Sequence, residues 1–318
     1  MNIKYQFYIL FISLFIISSC GIFEKEEFNP LQLNYLQSII DSNECLSGIQ
    51  PLELGKQSWT DGNLEELIIN SDQFELNPNN LSSYGSPLSD SIVSLIDSLP
   101  ENIGDLEGIG GLYINGTSIK NIPQTIGDIS SLRLLELNDN KIDTIPDNLW
   151  NLTLYRLDLR NNKIYSLSDK MSNLTLIGYD YSWNGGGLLL DNNFLTSLPE
   201  SISEIKHIMS LSVRNNDLLS LPELIGDMIY LNHLDVSYNC LTELPQSISN
   251  IDELTTLNIS NNNISYYQSN QIDFICSLPQ SFEINVSCNG FPDSLECSNF
   301  DNSDDWNNFN CESSNCGN

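Results

Sequence analysis

The chain has 318 residues, 40% of them hydrophobic, with 42 acidic against 12 basic side chains and a formal charge of −30. That apolar share suffices for a core and excludes wholesale disorder, while the charge repels phosphate backbones and anionic headgroups, which argues against nucleic-acid binding and against docking on lipid by charge. Its two histidines, His207 and His233, are thin material for acid–base catalysis or a metal site.

The N-terminus, MNIKYQFYILFISLFIISSC, reads as an export signal. Lys4 supplies a short positive region, Tyr5 to Ile17 an apolar run, and the small residues Ser18 and Ser19 precede Cys20. Ile17-Ser18-Ser19-Cys20 resembles a bacterial lipobox, which implies that residues 1–19 are removed and that Cys20 carries lipid. A plain secretory signal and an uncleaved anchor are the competing readings. The apolar run falls slightly short of the roughly 20 residues of a membrane span.

Residues 20–62 contain Leu33, Leu36, Ile39 and Ile40 at helical spacing, then Leu46, Ile49, Leu52 and Trp59. This pattern predicts a short amphipathic helix within an N-terminal cap. From residue 63 to 275 the chain repeats. Leu112-x-Ile114 is followed by Thr117, Ile119 and Ile122-Pro123; Leu135-x-Leu137 by Asn140, Ile142 and Ile145-Pro146. The same frame recurs from Leu157, Leu188, Leu211, Leu234 and Leu257, where it stops after Ile264; weaker copies start at Leu67 and Ile96. The period is 23 residues, once 22.

The phrase L-P-x-x-I-x-x-L-x-x-L-x-x-L-x-L-x-x-N-x-L resembles the leucine-rich repeat of the 23-residue type found in Ras-group proteins and in exported bacterial proteins. The resemblance implies an α/β solenoid: a curved horseshoe with a parallel β-sheet on its concave face, an irregular, 3-10 or short helical convex side, and a cap at each end. In physical terms, L-x-L alternation makes a short strand with both leucines inward. No repeat buries its own apolar face alone, and its neighbours cover it. The asparagine after each strand can donate and accept at a buried turn, predicting a ladder through Asn140, Asn162, Asn193, Asn216, Asn239 and Asn262. The prolines that follow fix φ and lack an N–H, suiting a turn outside any strand ladder.

Residues 276–318 form the predicted C-terminal cap and tail. Export makes their cysteines, Cys276, Cys288, Cys297, Cys311 and Cys316, disulfide candidates. With Cys20 lipidated, seven of the eight cysteines remain, so one thiol stays free or pairs between chains. The acidic run DNSDDWNN, 301–308, lacks the glycine and glutamate of a calcium-binding loop and reads as a solvated tail.

Two departures from the repeat point to function. GYDYSWNGGG, 178–187, is an insertion of about nine residues; Tyr179, Tyr181 and Trp183 are of the type enriched at interfaces, and the alternative is a tolerated loop. Secondly, the residues between the inward leucines face the concave side: Tyr113, Glu136, Asp158, Leu189, Ser212, Asp235 and Asn258. Arg156, Arg160, Arg214 and His233 flank them and make a mixed-charge patch, unless the long stems only cover apolar surface.

These residues predict a non-enzymatic, exported and lipid-anchored module at the cell envelope, binding a protein partner on its concave face, with no cofactor, metal or nucleic acid. The expected state is a monomer, with a disulfide-linked dimer as the alternative. An adhesive protein recognising glycan or itself is the second reading. Catalysis is the third: it rests on Cys240 near Asp235 and His233, with no phosphate-binding loop and no segment long enough for a catalytic domain.

Overall fold

In the computed structural model the described residues are 28–70, 83–85, 88–174, 187–205, 207–264 and 283–289. Cys20, Tyr179, Tyr181, Trp183, Cys276, Cys297, Cys311, Cys316 and the acidic run 301–308 lie outside them.

The predicted amphipathic helix forms as α1 (Pro30–Ser42). Pro30 occupies the first turn, where its missing N–H costs nothing, and the Asn29 side chain accepts from the Leu31 amide at 3.0 Å. The face that carries Tyr35, Leu36, Ile39 and Ile40 is buried. Gln32, on the same face, bridges to the sheet: its Oε1 accepts from the Leu64 amide at 2.8 Å and its Nε2 donates to the Glu107 carbonyl at 2.7 Å. Strands β1 (Lys56–Thr60) and β2 (Asn63–Ile69) form an antiparallel hairpin. Its turn is Asp61-Gly62, with φ of 48° and 77°, the pair of positive values that a tight turn between twisted strands needs. β3 (Ser83–Gly85) adds antiparallel to β1.

From β2 onward every pairing is parallel. β4 (Gly111–Ile114), β5 (Leu134–Glu136), β6 (Arg156–Asp158), β7 (Gly187–Leu189), β8 (Ser210–Ser212), β9 (His233–Asp235), β10 (Thr256–Asn258) and β11 (Glu283–Asn285) follow one another in a single 11-stranded sheet. The register aligns Leu112, Leu135, Leu157, Leu188, Leu211, Leu234, Leu257 and Ile284. The first seven are fully buried, as are Ile114, Leu137, Leu159, Leu190, Val213, Val236 and Ile259. These side chains from all repeats form one continuous core.

The asparagine ladder forms as predicted. Asn216 is representative: its Nδ2 donates to the carbonyls of Leu190 and Val213, both at 3.0 Å, and its Oδ1 accepts from the Leu195 amide at 3.0 Å. One amide thus closes its own turn and ties it to the preceding repeat. Asn162, Asn193, Asn239 and Asn262 do the same. Asn140 meets the Thr117 hydroxyl instead. The residue before each rung has positive φ: Asp139, Asn161, Asn192, Asn215, Tyr238 and Asn261 lie between 53° and 58°. Asn and Asp tolerate that conformation better than other side-chain-bearing residues.

The prolines have a more specific role than an irregular turn. Pro123, Pro146, Pro199 and Pro245 each precede a 3-10 turn on the convex side, and their carbonyls accept from the residue three positions on. The turns, Gln124–Asp128, Asp147–Asn151, Glu200–Glu204 and Gln246–Asn250, stack on those of adjacent repeats. Where they approach most closely the chain uses glycine: a Cβ at Gly226 would stand 2.0 Å from the Ser247 carbonyl oxygen.

Two boundaries differ from the sequence reading. Leu157 is in register with Leu188, so the strand after the insertion begins at Gly187, the last residue assigned to the insertion. At the other end, β11 and Asn289 lie in the stretch read as cap. Asn289 donates to the carbonyls of Ile259 and Val286 and accepts from Ile264, as a further rung does.

Candidate binding face

The columns of side chains on the concave wall follow from strand register. Between the buried leucines run Ile68, Tyr113, Glu136, Asp158, Leu189, Ser212, Asp235, Asn258 and Asn285. One position before the inward leucine stand Glu66, Gly111, Leu134, Arg156, Gly187, Ser210, His233, Thr256 and Glu283. Arg160, Asp191 and Arg214 lie just beyond the strands.

The charged residues of the first half form one network. Arg156 Nε lies 2.9 Å from Glu136 Oε1, and its Nη2 lies 3.0 Å from Asp158 Oδ2. Arg160 grips the same carboxylate, with Nη2 2.6 Å from Oδ2 and Nε 2.9 Å from Oδ1. Asp158 is fully buried, so the arginines cover it and it offers no surface itself. Tyr113 is buried too. Its ring lies over Gly111, where a Cβ would come within 2.7 Å of it. Burial, then Glu66 and Glu136, push its phenol above the usual tyrosine range. Burial also raises the Glu136 carboxyl, against the pull of Arg156.

The second half is shallower. Gly187, Ser210, Ser212, Ser237 and Ser260 replace the large side chains. Asp191 Oδ1 accepts from the Ser212 hydroxyl and from the Arg214 amide at 2.9 Å. Asp235 Oδ1 accepts from the amide and hydroxyl of Ser237, at 2.9 and 2.6 Å, and its Oδ2 from Asn258 Nδ2 at 3.0 Å. The Arg214 guanidinium lies over the Tyr238 ring, 4.1 Å from its centroid, a cation–π arrangement. His233 is half-buried between Ser210 and Thr256.

Of the residues singled out from sequence, Glu136, Arg156, Asp158 and Arg160 are brought together; Arg214, His233 and Asp235 lie further along the same wall. Asp191 escaped the sequence reading, although it occupies the position held by Arg160 and Arg214 in neighbouring repeats. Among the described residues, no group of three or more His, Cys, Asp or Glu is placed to hold a metal ion.

A parallel sheet built one strand per repeat, an asparagine ladder and stacked 3-10 turns define a leucine-rich repeat solenoid. Residues 206–264 match the leucine rich repeat family. Among solved structures, the chain is similar to the leucine-rich repeat protein LIC12759 of Leptospira interrogans, at 26% identity and TM-score 0.54 over 69% of this chain and 54% of that one. It also resembles the internalin InlF of Listeria monocytogenes, at 19% identity and TM-score 0.54 over 67% and 58% of the two chains. A structure titled PEPR1-AtPEP1 matches at 24% identity and TM-score 0.55 over 94% of this chain and 38% of that one. The chain thus spans between 38% and 58% of the length of these structures. No curated protein matches it in sequence.

Proposed function

We propose that this chain is a non-enzymatic protein-binding module, exported and lipid-anchored through Cys20 at the cell envelope, that takes a protein partner on its concave wall. The observation that carries the reading is the network of Glu136, Arg156, Asp158 and Arg160. It fixes the partly exposed side chains of Arg156 and Arg160 on the concave wall before any partner arrives, and binding then loses less side-chain freedom. The leucine-rich repeat fold, whose curvature presents an extended inner surface, favours the same reading.

Export draws support from the cysteines. Cys240 and Cys288 are disulfide-bonded while Cys45 is a free thiol, and disulfides persist in oxidising compartments. A disulfide-bonded Cys240 is no nucleophile, which weighs against catalysis. The adhesive reading draws on a different surface: Tyr165, Phe194 and Leu219 are 55%, 54% and 64% exposed on the flank of adjacent repeats.

Two experiments test the proposal. Cells fed an alkyne-bearing fatty acid should label the chain, and Cys20→Ser should abolish the label; an unlabelled wild type overturns the anchor. Partner capture should be lost on Ser210→Trp, on the concave wall, and kept on Gln124→Trp, on the convex side. Capture that survives Ser210→Trp and fails with Gln124→Trp overturns the concave reading.

A further inference from the structure

We infer that the flank carrying Tyr165 and Phe194 binds an extended, neutral oligosaccharide, one sugar ring to each repeat, with an end ring in a cavity beside Thr144. This rests on the adhesive reading of that flank, names its ligand class, and leaves the concave wall to a protein partner.

The flank is the stretch that follows each rung of the ladder, and backbone hydrogen bonds hold it in register. The amides of Lys141, Lys163, Phe194 and Asp217 donate to the carbonyls of Ile119, Ile142, Ile164 and Leu195 at 2.9, 2.7, 2.9 and 2.9 Å. Four residues on from Thr117, Asn140, Asn162, Asn193 and Asn216 stand Asn121, Thr144, Ser166, Ser197 and Ser220, all exposed. Among the described residues these side chains make no hydrogen bond. They form a row of amide and hydroxyl groups that advances about 4.8 Å per repeat, the strand spacing. Successive rings of an extended, equatorially linked pyranose chain advance by a similar step.

Beside the row stand the exposed rings of Tyr165 and Phe194, on adjacent repeats, with Leu219 on the next. A pyranose carries C–H groups on its faces and hydroxyls round its rim. The faces pack on the aromatic rings and the rim meets the row. The row starts at a cavity of about 310 Å³ between two repeats, at the small end of ligand sites. Ile145 and Pro146 give the cavity an apolar wall, and Asn121, Gln124, Thr144 and Asp147 line the rest. The two amides and the hydroxyl have no partner among the described residues, and each of them donates and accepts, as a sugar hydroxyl requires. Asp147 brings a charge to this lining, but Lys170 Nζ meets it at 2.8 Å, so the cavity suits hydroxyls better than a cation. Along the row Lys120, Lys141 and Lys163 are balanced by Asp139, Asp143 and Asp217, all exposed. With no local excess of positive charge on a chain of −30, acidic sugars are repelled and neutral ones are not.

The test is calorimetric titration of the mature chain with cellopentaose and chitopentaose, two extended neutral pentasaccharides, and with maltopentaose, which coils. The inference expects saturable binding of at least one extended pentasaccharide and binding at least about tenfold weaker for maltopentaose, whose rings do not lie in line with the repeats. Tyr165→Ala/Phe194→Ala should weaken the binding at least about tenfold through the lost ring faces, and Asn121→Ala/Gln124→Ala at least about threefold through the lost hydrogen bonds. Leu224→Ala/Tyr230→Ala, exposed on the stretch before β9, should change it less than about twofold, since scattered surface truncations have small effects. All six substituted side chains are exposed, so the variants keep the fold. The inference is overturned if neither extended pentasaccharide saturates, if maltopentaose binds as well, or if the ring pair and the control pair act alike. A chain that binds no pentasaccharide but self-associates in sedimentation velocity, and loses that association in Tyr165→Ala/Phe194→Ala, sinks this inference and leaves the adhesive reading standing. A chain that does neither sinks both.

Discussion

Asp158 and Arg160 sit two positions apart on the concave wall, and their side chains close on each other: Arg160 Nη2 stands 2.6 Å from Oδ2 of a carboxylate that is fully buried. Arg156 takes the same oxygen from the other side at 3.0 Å. A buried anion is tolerated only when it is paired. Asp158→Ala should therefore leave two guanidiniums without their anion and destabilise the chain by about 2–3 kcal/mol, below the roughly 3–5 kcal/mol of a broken buried pair because both arginines are partly exposed. Urea denaturation measures this. A loss no larger than that of an exposed Asp→Ala would show that the network has no structural weight.

The ladder gives the second prediction. Asn216 makes hydrogen bonds to Leu190, Val213 and Leu195, all at 3.0 Å in a buried turn. Asn216→Ala strands those backbone groups away from water and should cost about 2–4 kcal/mol. Asp217→Ala, next to it but exposed, should cost under about 0.5 kcal/mol. Equal effects in thermal or urea unfolding would contradict the ladder's role.

Sequence and structure agree where one position has one physical solution. The inward aliphatics and Asn140, Asn162, Asn193, Asn216, Asn239 and Asn262 were legible because no other residue type meets the same demands. Arg160 and Asp158 were legible as neighbours, but not as a buried pair, because alternation along a strand gives the face and not the depth. Asp191 was hidden because the insertion blurs the repeat it belongs to, and Ile284-x-Val286-x-x-Asn289 was hidden because its strand comes 27 residues after Leu257, where Leu188, Leu211, Leu234 and Leu257 are each 23 apart. Asp61-Gly62 was a readable hairpin signal that fell on the boundary drawn between cap and repeats.

Close backbone approach gives the third prediction. A Cβ at Gly187 would lie 2.4 Å from the Ser210 carbonyl oxygen, and at Gly226 2.0 Å from that of Ser247. The obstacle is backbone in both cases, so no side chain can swing away. Gly226→Ala should cost about 2–3 kcal/mol, as overpacking does, and Gly187→Ala at least as much because its φ of +153° adds conformational strain. Gly108→Ala meets nothing within 4 Å but has φ +91°, so its cost should be conformational alone, about 1 kcal/mol. If the three unfold at the same urea concentration, the close packing of repeats at these points is wrong.

The fourth concerns pH. Burial is the main reason that the Asp191 carboxyl is raised; Ser212 and the Arg214 amide oppose it and Asp235 adds to it. The folded chain then holds this proton more tightly than the unfolded chain. The resulting stability is fully present below the ordinary aspartate range and is lost as pH rises through the raised folded value. Asp191→Asn lacks that loss, so its stability relative to wild type should increase from acid to neutral pH. Urea midpoints across that window check it, and parallel curves would contradict the assignment.

The central claim is that the concave wall takes the partner. A photo-crosslinking amino acid placed at Ser210 or Thr256 on the wall, and at Gln124 or Ser249 on the convex turns, tests it on intact cells. The account predicts a discrete adduct from the two wall positions and none from the two convex positions. An adduct formed only from the convex turns would contradict it.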